Sequence, residues 1–413
     1  MISLLVKGER YFFDQVLKGA ENASCCFTVN SSHAILKWTD DLQCKEYFEK
    51  LLIWQVTNRI PSAEILTRKV SLAMCINEVL NFFPNEYKFI PKQYILPDEM
   101  DKFKNMLKTT KKTWIIKPDQ GSLGAGITIV EPQAGIDVPE ESAVAQEYID
   151  SYTIENKKFD LRVYALVASL NPLRIYVYRE GIARFCAEEQ GKDPIFSRIT
   201  NVGLNKQKET DFKQISRLIS DVFEKMRENG INTDILWQKI DDCIIKTILS
   251  SINRLHKAEL AKCPPHLYSR CFQIFGFDIL LDKNLNPWVL EVNYRPMLEA
   301  HRGVERRMKT QLITDTIKIA VPLRKIQSIL SSRLYSWDES MWRMFVIGHP
   351  ELNNTIANER ALGESGSNYK KVFGPGVEMS AENKRIYETV VKLPVSHIPG
   401  FELSHLKVEG GEA

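Results

Sequence analysis

The chain has 413 residues, with 55 Lys and Arg against 52 Asp and Glu for a formal net charge of +3. That near-balance excludes a whole-chain electrostatic signature for nucleic acid, and no apolar run approaches the ~20 residues that span a bilayer, so neither nucleic acid nor membrane is expected as a partner. Eight cysteines without a CxxC pair indicate neither a zinc site nor a disulfide framework and suit a reducing compartment, and the apolar run before Lys7 is too short for a secretory signal. The expected setting is cytoplasmic, and the length suits two or three domains.

In chain order, the first sixty residues mix the strand-like runs CCFTVN and HAILKW with an amphipathic helix from Cys44 to Val56. RKVSLAMCINEVLNFF, from Arg68, has helical apolar spacing, and KFIPKQYILP is extended and broken by prolines. Trp114 to Lys117 and Ile127 to Val130 read as strands around a glycine loop, AVAQEYI as a third, and residues 158–185 as two strands joined by an Asn-Pro turn. Helices are expected over 211–229 and 235–260, then a hairpin in FDILLDKNLNPWVLEVN, then a basic helical stretch from Arg302. Beyond residue 335 the pattern weakens, and ALGESGSNYKKVFGPG and VEGGEA read as loop or disorder.

Three of these segments carry chemistry. In the hairpin, a four-residue loop closed by Asp282 and Pro287 places Asp278 across from Glu291, and alternation puts Asn293 on the face of Glu291. Opposed carboxylates in a half-buried hairpin repel and lose hydration unless a cation lies between them. Oxygen donors with no His or Cys suit magnesium, which keeps several waters and shares substrate phosphates, so the hairpin points to a nucleotide site. A register shift that leaves one acid in solvent is the plain alternative.

WIIKPDQGSLGAGITIV sets Lys117 at the end of a strand, ahead of Gly121, Gly124 and Gly126. Glycines let backbone N–H groups approach phosphate oxygens, and the lysine adds positive charge. It is no Walker A loop, because GK[ST] is missing and a strand follows, and the chain lacks the HRD and DFG of protein kinases. A simple hairpin turn would look similar. In KKFDLRVYALVASL, Lys158, Asp160 and Arg162 share one strand face while Phe159, Leu161 and Val163 share the other. A half-exposed surface strand alternates in this way. The continuation is apolar on both faces, however, and RIYVYREGIARF returns with Arg179 and Arg184, which suggests an interior cluster of cations requiring substrate carboxylates and ATP phosphates as counterions.

Taken together, LTRKVSL, WIIKPDQGSLGAGI, AQEYI, KKFDLRVYALV, LRIYVYREGIARF, ITNVGLNK and FQIFGFDILL with PWVLEVNYRP resemble the tubulin tyrosine ligase-like family of ATP-grasp amino-acid ligases, in the family's order and over Trp38 to Ile326. The resemblance implies an α+β chain with an ATP-grasp fold: an N-terminal domain (1–66), a central domain (67–150), a C-terminal domain (151–334) with the metal site, and an extension (335–413), with nucleotide between the central and C-terminal domains. It implies that Lys69 and Lys117, with Gly124 and Gly126 of the loop, contact ATP phosphates and that Gln146, Glu147, Tyr148 and Ile149 line the adenine pocket. Asp278, Glu291 and Asn293 would hold Mg2+. Lys158, Asp160, Arg162, Arg184, Thr200 and Asn201 would line the region where nucleotide and amino acid meet, and Lys158, Asp160, Arg162, Arg184 and Glu291 would carry catalysis. By themselves Thr200 and Asn201 read as a turn or helix cap.

The implied activity is attachment of glutamate to glutamate side chains of acidic tubulin tails through an acyl phosphate, at microtubules of the cytoskeleton and of a cilium or flagellum. Ala125, the Arg198-Ile199 pair before the TN motif in place of the usual His-Leu, and NYRPML depart from the family pattern and leave the added amino acid open. A glycine or tyrosine ligase, a ligase for another protein, and an inactive nucleotide- or microtubule-binding module stand as alternatives. Between Arg302 and Arg333 eight basic residues (Arg302, Arg306, Arg307, Lys309, Lys318, Arg324, Lys325, Arg333) face two acidic ones, a solvated helix face or a guide for an acidic tail.

Overall fold

A computed structural model describes residues 2–7, 14–29, 31, 34–52, 54–119, 126–131, 141–192, 196–209, 211–263, 268–300, 302–324, 339–396 and 398. Gly124, Lys325, Arg333 and VEGGEA lie outside them. The chain is mixed α+β and builds three sheets in order.

The first sheet is parallel, ordered β2-β1-β3-β4, from β1 (Ile2–Lys7), β2 (Cys25–Phe27), β3 (Leu36–Thr39) and β4 (Val56–Thr57), with α1 (Asp14–Asn22) following β1. The helix expected over Cys44–Val56 shrinks to α2 (Lys45–Glu49). The rest of that segment turns into the sheet, because Val56 donates to Ile35 O at 2.8 Å and Gln55 Nε2 donates to Ala34 O at 2.9 Å.

Helix α3 (Lys69–Leu80) follows as expected. The second sheet is antiparallel, ordered β5-β8-β6-β7, from β5 (Gln93–Leu96), β6 (Trp114–Pro118), β7 (Thr128–Val130) and β8 (Ala143–Glu147). Its own core joins Trp114, Ile116 and Ala145 to Phe103 and Leu107 of α4 (Met100–Thr109), so Ile115, Lys117 and Gln146 are left for the other face.

In the third sheet β9 (Thr153–Ile154) borders β10 (Lys157–Leu170), and the main order is β12-β11-β10-β13-β14, from β11 (Leu173–Phe185), β12 (Ser216–Leu218), β13 (Gln273–Leu281) and β14 (Pro287–Asn293). β10 and β11 are buried on both faces, as their two-sided apolar sequence requires. Odd-numbered Phe159, Leu161, Val163, Ile175, Val177 and Phe185 enter one core; even-numbered Tyr164, Leu166, Tyr176 and Tyr178 enter another. Each such side chain contributes about 1.5–3 kcal/mol by burial. The charged even positions sit at the strand ends, where that second apolar face gives way to a cavity.

The helix expected over 211–229 is interrupted. After α5 (Val202–Asn205) and α6 (Phe212–Ile215), Ser216–Leu218 pairs with β11 as β12 before α7 (Ile219–Glu228) begins. The helix expected over 235–260 divides into α8 (Thr233–Leu249) and α9 (Ile252–Lys262), where Ser250 Oγ donates back to Thr247 O and competes with the helical ladder. Helix α10 (Gly303–Ala320) packs beside α1.

The largest correction concerns ALGESGSNYKKVFGPG. Its first residues close the helix Glu351–Ser365, and YKKVF forms β15 (Tyr369–Phe373), which pairs with β11; a further helix follows at Ala381–Val390. The strand is stabilised by the edge it joins, with Val372 and Phe373 in the core, a tertiary contribution that its short local pattern does not announce.

Candidate functional site

A cavity of about 890 Å³ lies between the second and third sheets and the start of α3. Its walls include Lys69, Lys117, Gln146, Glu147, Tyr148, Ile149, Lys158, Asp160, Arg162, Arg184, Thr200, Asn201, Asp278, Glu291 and Asn293. Every described residue to which the resemblance assigns a role, except Gly126, therefore meets in one place. Gly126 is not among the wall residues; its φ of +72° favours glycine, and an added Cβ would lie 2.8 Å from Pro118 Cγ.

The floor is a charged row across four strands. In register, Arg184 of β11 faces Asp160 of β10, Arg162 of β10 faces Asp278 of β13, and Asp278 faces Glu291 of β14. The hairpin reaches that last pairing by a route the sequence did not suggest. Leu281 pairs with Pro287 around a five-residue loop, one residue longer than expected, and a bulge between Asp278 and Ile279 on the register restores the offset. Asp282 stabilises the loop by accepting from the N–H groups of Asn284 and Asn286, both at 2.8 Å.

Arg184 grips Asp160 through two hydrogen bonds of 2.6 and 2.7 Å and reaches Asp278 at 2.6 Å, while Arg162 donates twice to Asp278 at 2.5 and 3.1 Å. Thr200 Oγ1 also donates to Asp160, so Thr200 is more than a turn residue, whereas Asn201 both borders the cavity and caps α5 by accepting from the Leu204 N–H at 3.2 Å. Gly276 makes room for this network, since a Cβ there would lie 3.0 Å from Arg162 Cδ.

The two opposed carboxylates differ in proton affinity. Burial would raise the pKa of Asp278, but the guanidiniums of Arg162 and Arg184 outweigh it and hold Asp278 well below the usual carboxylate range. For Glu291, burial and then the charge of Asp278 push the pKa up. Asn293 Nδ2 donates to Gly276 O at 3.3 Å and to Glu291 Oε1 at 3.4 Å. Among the described residues no cluster of three or more His, Cys, Asp and Glu is placed to hold a metal. Two carboxylates and an amide nevertheless form an all-oxygen set whose mutual repulsion a divalent cation would relieve, and this suits Mg2+, which completes its shell with water and substrate oxygens.

Two buried lysines, Lys117 of β6 and Lys158 of β10, hydrogen-bond to neutral groups. Lys117 Nζ donates to Gln146 Oε1 at 2.8 Å and to Leu290 O at 3.3 Å; Lys158 Nζ donates to Tyr148 OH at 2.9 Å. Burial pushes the pKa of each lysine down to about 8. Such ammonium groups favour an incoming anion.

Two expectations about cations need correction. Arg179 does not join the cavity: it lies on the odd-numbered face, where it pairs with Asp241 at 2.6 and 2.7 Å and stacks on Trp237. Lys309 is not part of a solvated helix face. It is buried, borders the cavity, donates to Glu299 O at 2.6 Å, and its pKa is pushed down to about 8 by burial. Glu305, one turn earlier, also borders the cavity and accepts from Ser216 Oγ at 2.7 Å. The sequence reading missed both roles, although the spacing of Met308, Leu312 and Ile313 could have shown the inward face of α10. Arg198, also on the cavity wall, was noted only as a departure from a pattern.

A buried row of arginines and carboxylates, with Lys117 and Lys158 hydrogen-bonded to neutral groups, is chemically suited to a polyanion and a cation. The chain belongs to the tubulin-tyrosine ligase family, which it matches over residues 46–329. Among its relatives, mouse tubulin polyglutamylase TTLL6 is 34% identical over 319 residues, covering 74% of this chain and 39% of the relative. Zebrafish tubulin polyglutamylase ttll6 is 33% identical over 296 residues (68% and 38%), and a probable beta-tubulin polyglutamylase of Tetrahymena thermophila is 32% identical over 302 residues (68% and 25%). The chain thus spans well under half the length of these relatives.

Proposed function

We propose that this protein is an ATP-dependent ligase that adds glutamate to glutamate side chains in the acidic tails of tubulin. The observation that carries this reading is the convergence of lysines, paired carboxylates and arginines from both sheets on one cavity; the names of its relatives supply the amino acid and the acceptor. The arrangement is that of an ATP-grasp enzyme, with residues 67–150 and 151–334 holding nucleotide between them, 1–66 as a leading domain, and 335–413 as an extension that lends β15 to the third sheet. The enzyme would work in the cytoplasm on the microtubule cytoskeleton, including that of a cilium or flagellum.

In this reading the adenine lies along Gln146, Glu147, Tyr148 and Ile149, and the phosphates meet Lys69 and Lys117. Asp278, Glu291 and Asn293 would hold Mg2+, which when bound neutralises phosphate charge and orients the terminal phosphoryl group. The acceptor carboxylate attacks the γ-phosphorus of ATP, the bond to the β,γ-bridging oxygen breaks, and ADP leaves, giving an acyl phosphate. The amine of the incoming amino acid then attacks the acyl carbon, phosphate departs with the former acyl C–O electrons, and the amine proton is lost as the amide forms. Lys158, Arg162 and Arg184 offset charge building on the transferred group, Asp160 and Thr200 hold Arg184 in place, and Lys309 with Glu305 offers both signs of charge to an amino acid at the far end. Positioning and electrostatics carry the reaction, and no enzyme nucleophile is needed.

The test supplies tubulin and MgATP with radiolabelled glutamate, glycine or tyrosine singly. Glutamate should be incorporated preferentially. Incorporation of glycine or tyrosine alone overturns the amino-acid assignment, and nucleotide binding without incorporation of any label favours the inactive module.

A further inference from the structure

We propose that Arg198 and Glu131 form a clasp at the rim of the cavity that sets the rate at which nucleotide leaves, a reading that rests on the nucleotide site proposed above. Arg198 precedes the Thr200 that holds Asp160, so it belongs to the wall built on the third sheet. Glu131 directly follows β7 of the second sheet. The two side chains meet in an ion pair, with Arg198 on the cavity wall and 34% exposed and Glu131 outside it and 50% exposed.

The pair rests on a built platform. The Arg198 guanidinium lies 5.8 Å from the centre of the Tyr148 ring, and Lys158 Nζ lies 4.1 Å from the same ring. Thr113 fixes both receiving groups: its hydroxyl donates to Glu131 Oε2 at 2.9 Å, and its carbonyl accepts from the Tyr148 N–H at 2.9 Å. Opposite the rim, the third sheet is joined to the second sheet's side by the Lys117 bond to Leu290 O and by a 3.0 Å bond from Val289 N–H to Phe89 O, with Val289 buried. Buried bonds to backbone are costly to break, whereas an exposed ion pair contributes little and is screened by salt. The clasp is therefore an exposed, weak link between the two walls, outside the 2.9 Å Lys158–Tyr148 bond on the same rim, and is weak enough to release on each cycle.

The experiment follows dissociation of a fluorescently ribose-labelled ATP analogue, chased with excess ATP in a stopped-flow instrument. Arg198→Ala and Glu131→Gln should each speed dissociation about two- to fivefold. The double variant should be no faster than either single one, the reversed pair Arg198→Glu with Glu131→Arg should return most of the way to the native rate, and 0.5 M salt should speed the native protein more than the variants. Unchanged rates in both single variants overturn the clasp. A faster rate in Arg198→Ala with a native rate in Glu131→Gln also overturns it, because Arg198 would then be touching the nucleotide itself. Failure of the native protein to bind the analogue sinks the nucleotide reading and the clasp with it, whereas binding with clasp-independent release sinks the clasp alone.

Discussion

The cavity holds positive charge in two different ways. On the third sheet, Arg162 and Arg184 are committed to Asp160 and Asp278 by paired hydrogen bonds. Lys117 of the second sheet and Lys158, two residues before Asp160 on β10, rest instead on an amide oxygen, a backbone carbonyl and a phenol. The arginines are neutralised before any ligand arrives, and their bidentate geometry fixes where the carboxylates point. The two lysines keep their charge poorly compensated, and burial depresses their pKa values, which suits them to an incoming anion. In the proposed reaction the arginines position and the lysines receive.

The sharpest way to break this distinction is at Asp278 and Glu291, which face each other yet should respond with opposite signs. Asp278→Asn leaves Arg162 without its carboxylate and should destabilise the protein by about 3–5 kcal/mol in denaturant unfolding. Glu291→Gln removes the repelling partner and should leave the metal-free protein as stable as before or more so, while abolishing ligase activity. The pH dependence follows the same signs. Stability from Asp278, whose pKa is lowered, is present above its unfolded value and is lost as pH falls towards its folded one. Glu291, whose pKa is raised, destabilises in full above its folded pKa, and that penalty shrinks as pH falls below it and is gone below the unfolded value. Full activity of Glu291→Gln at limiting Mg2+ would remove it from the metal site.

A smaller effect tests the two lysines. Lys117 and Lys158 titrate near 8 when folded and at an ordinary value of 10.5 when unfolded. Between those values the unfolded chain binds more protons, so stability of the ligand-free protein should rise from pH 8 to 10.5, with Lys309 adding to the same slope. Phosphates beside the lysines raise their pKa again, so ATP binding at pH 8 to 9 should take up protons, seen by calorimetry in buffers of different ionisation enthalpy. Lys117→Met should reduce that uptake and weaken ATP binding about 10- to 100-fold, the loss of a charge-assisted contact. Proton uptake unchanged in Lys117→Met would mean that Lys117 is not a phosphate receptor.

Arg179 supplies a control of the same residue type on the other sheet face. Arg179→Met should cost about 1–3 kcal/mol, because Asp241 loses its bidentate partner in a poorly exposed position, yet leave ATP affinity unchanged. A change in ATP affinity would show that the two faces are coupled through the strand.

How far such contrasts can be read from sequence depends on where the energy comes from. Lys158, Asp160 and Arg162 were legible because strand alternation alone assigns a face, and the same parity, applied to Arg179 and Arg184 five residues apart, would have separated them. The Asp278 and Glu291 pairing was legible in outcome but not in route: a longer loop and a bulge shift the register in opposite directions and cancel. β15 was illegible because its stability lies in an edge of β11 nearly two hundred residues earlier in the chain. Lys309 was hidden by its neighbours, since a run of basic residues suggests solvent while helical spacing places Arg306 and Arg307 outward and Lys309 inward.

That last separation gives the smallest predicted effect and the finest test of receiving against guiding charge. Arg306 and Arg307 are exposed on the first turns of α10, one turn from the cavity-lining Glu305 and Lys309. Exposed cations act on a polyacidic tail through attraction screened over about 8 Å at physiological ionic strength, so they influence encounter more than chemistry. Reversing both to Glu should raise the apparent KM for tubulin a few-fold at low salt, flatten its salt dependence, and leave kcat and ATP affinity alone. Lys309→Met, by contrast, should lower kcat or raise the KM for the amino acid with little change in salt dependence, since its charge is buried within the cavity. If Arg306→Glu with Arg307→Glu leaves the low-salt KM for tubulin unchanged, those residues are an ordinary solvated face, and α10 contributes to function only through its inward side.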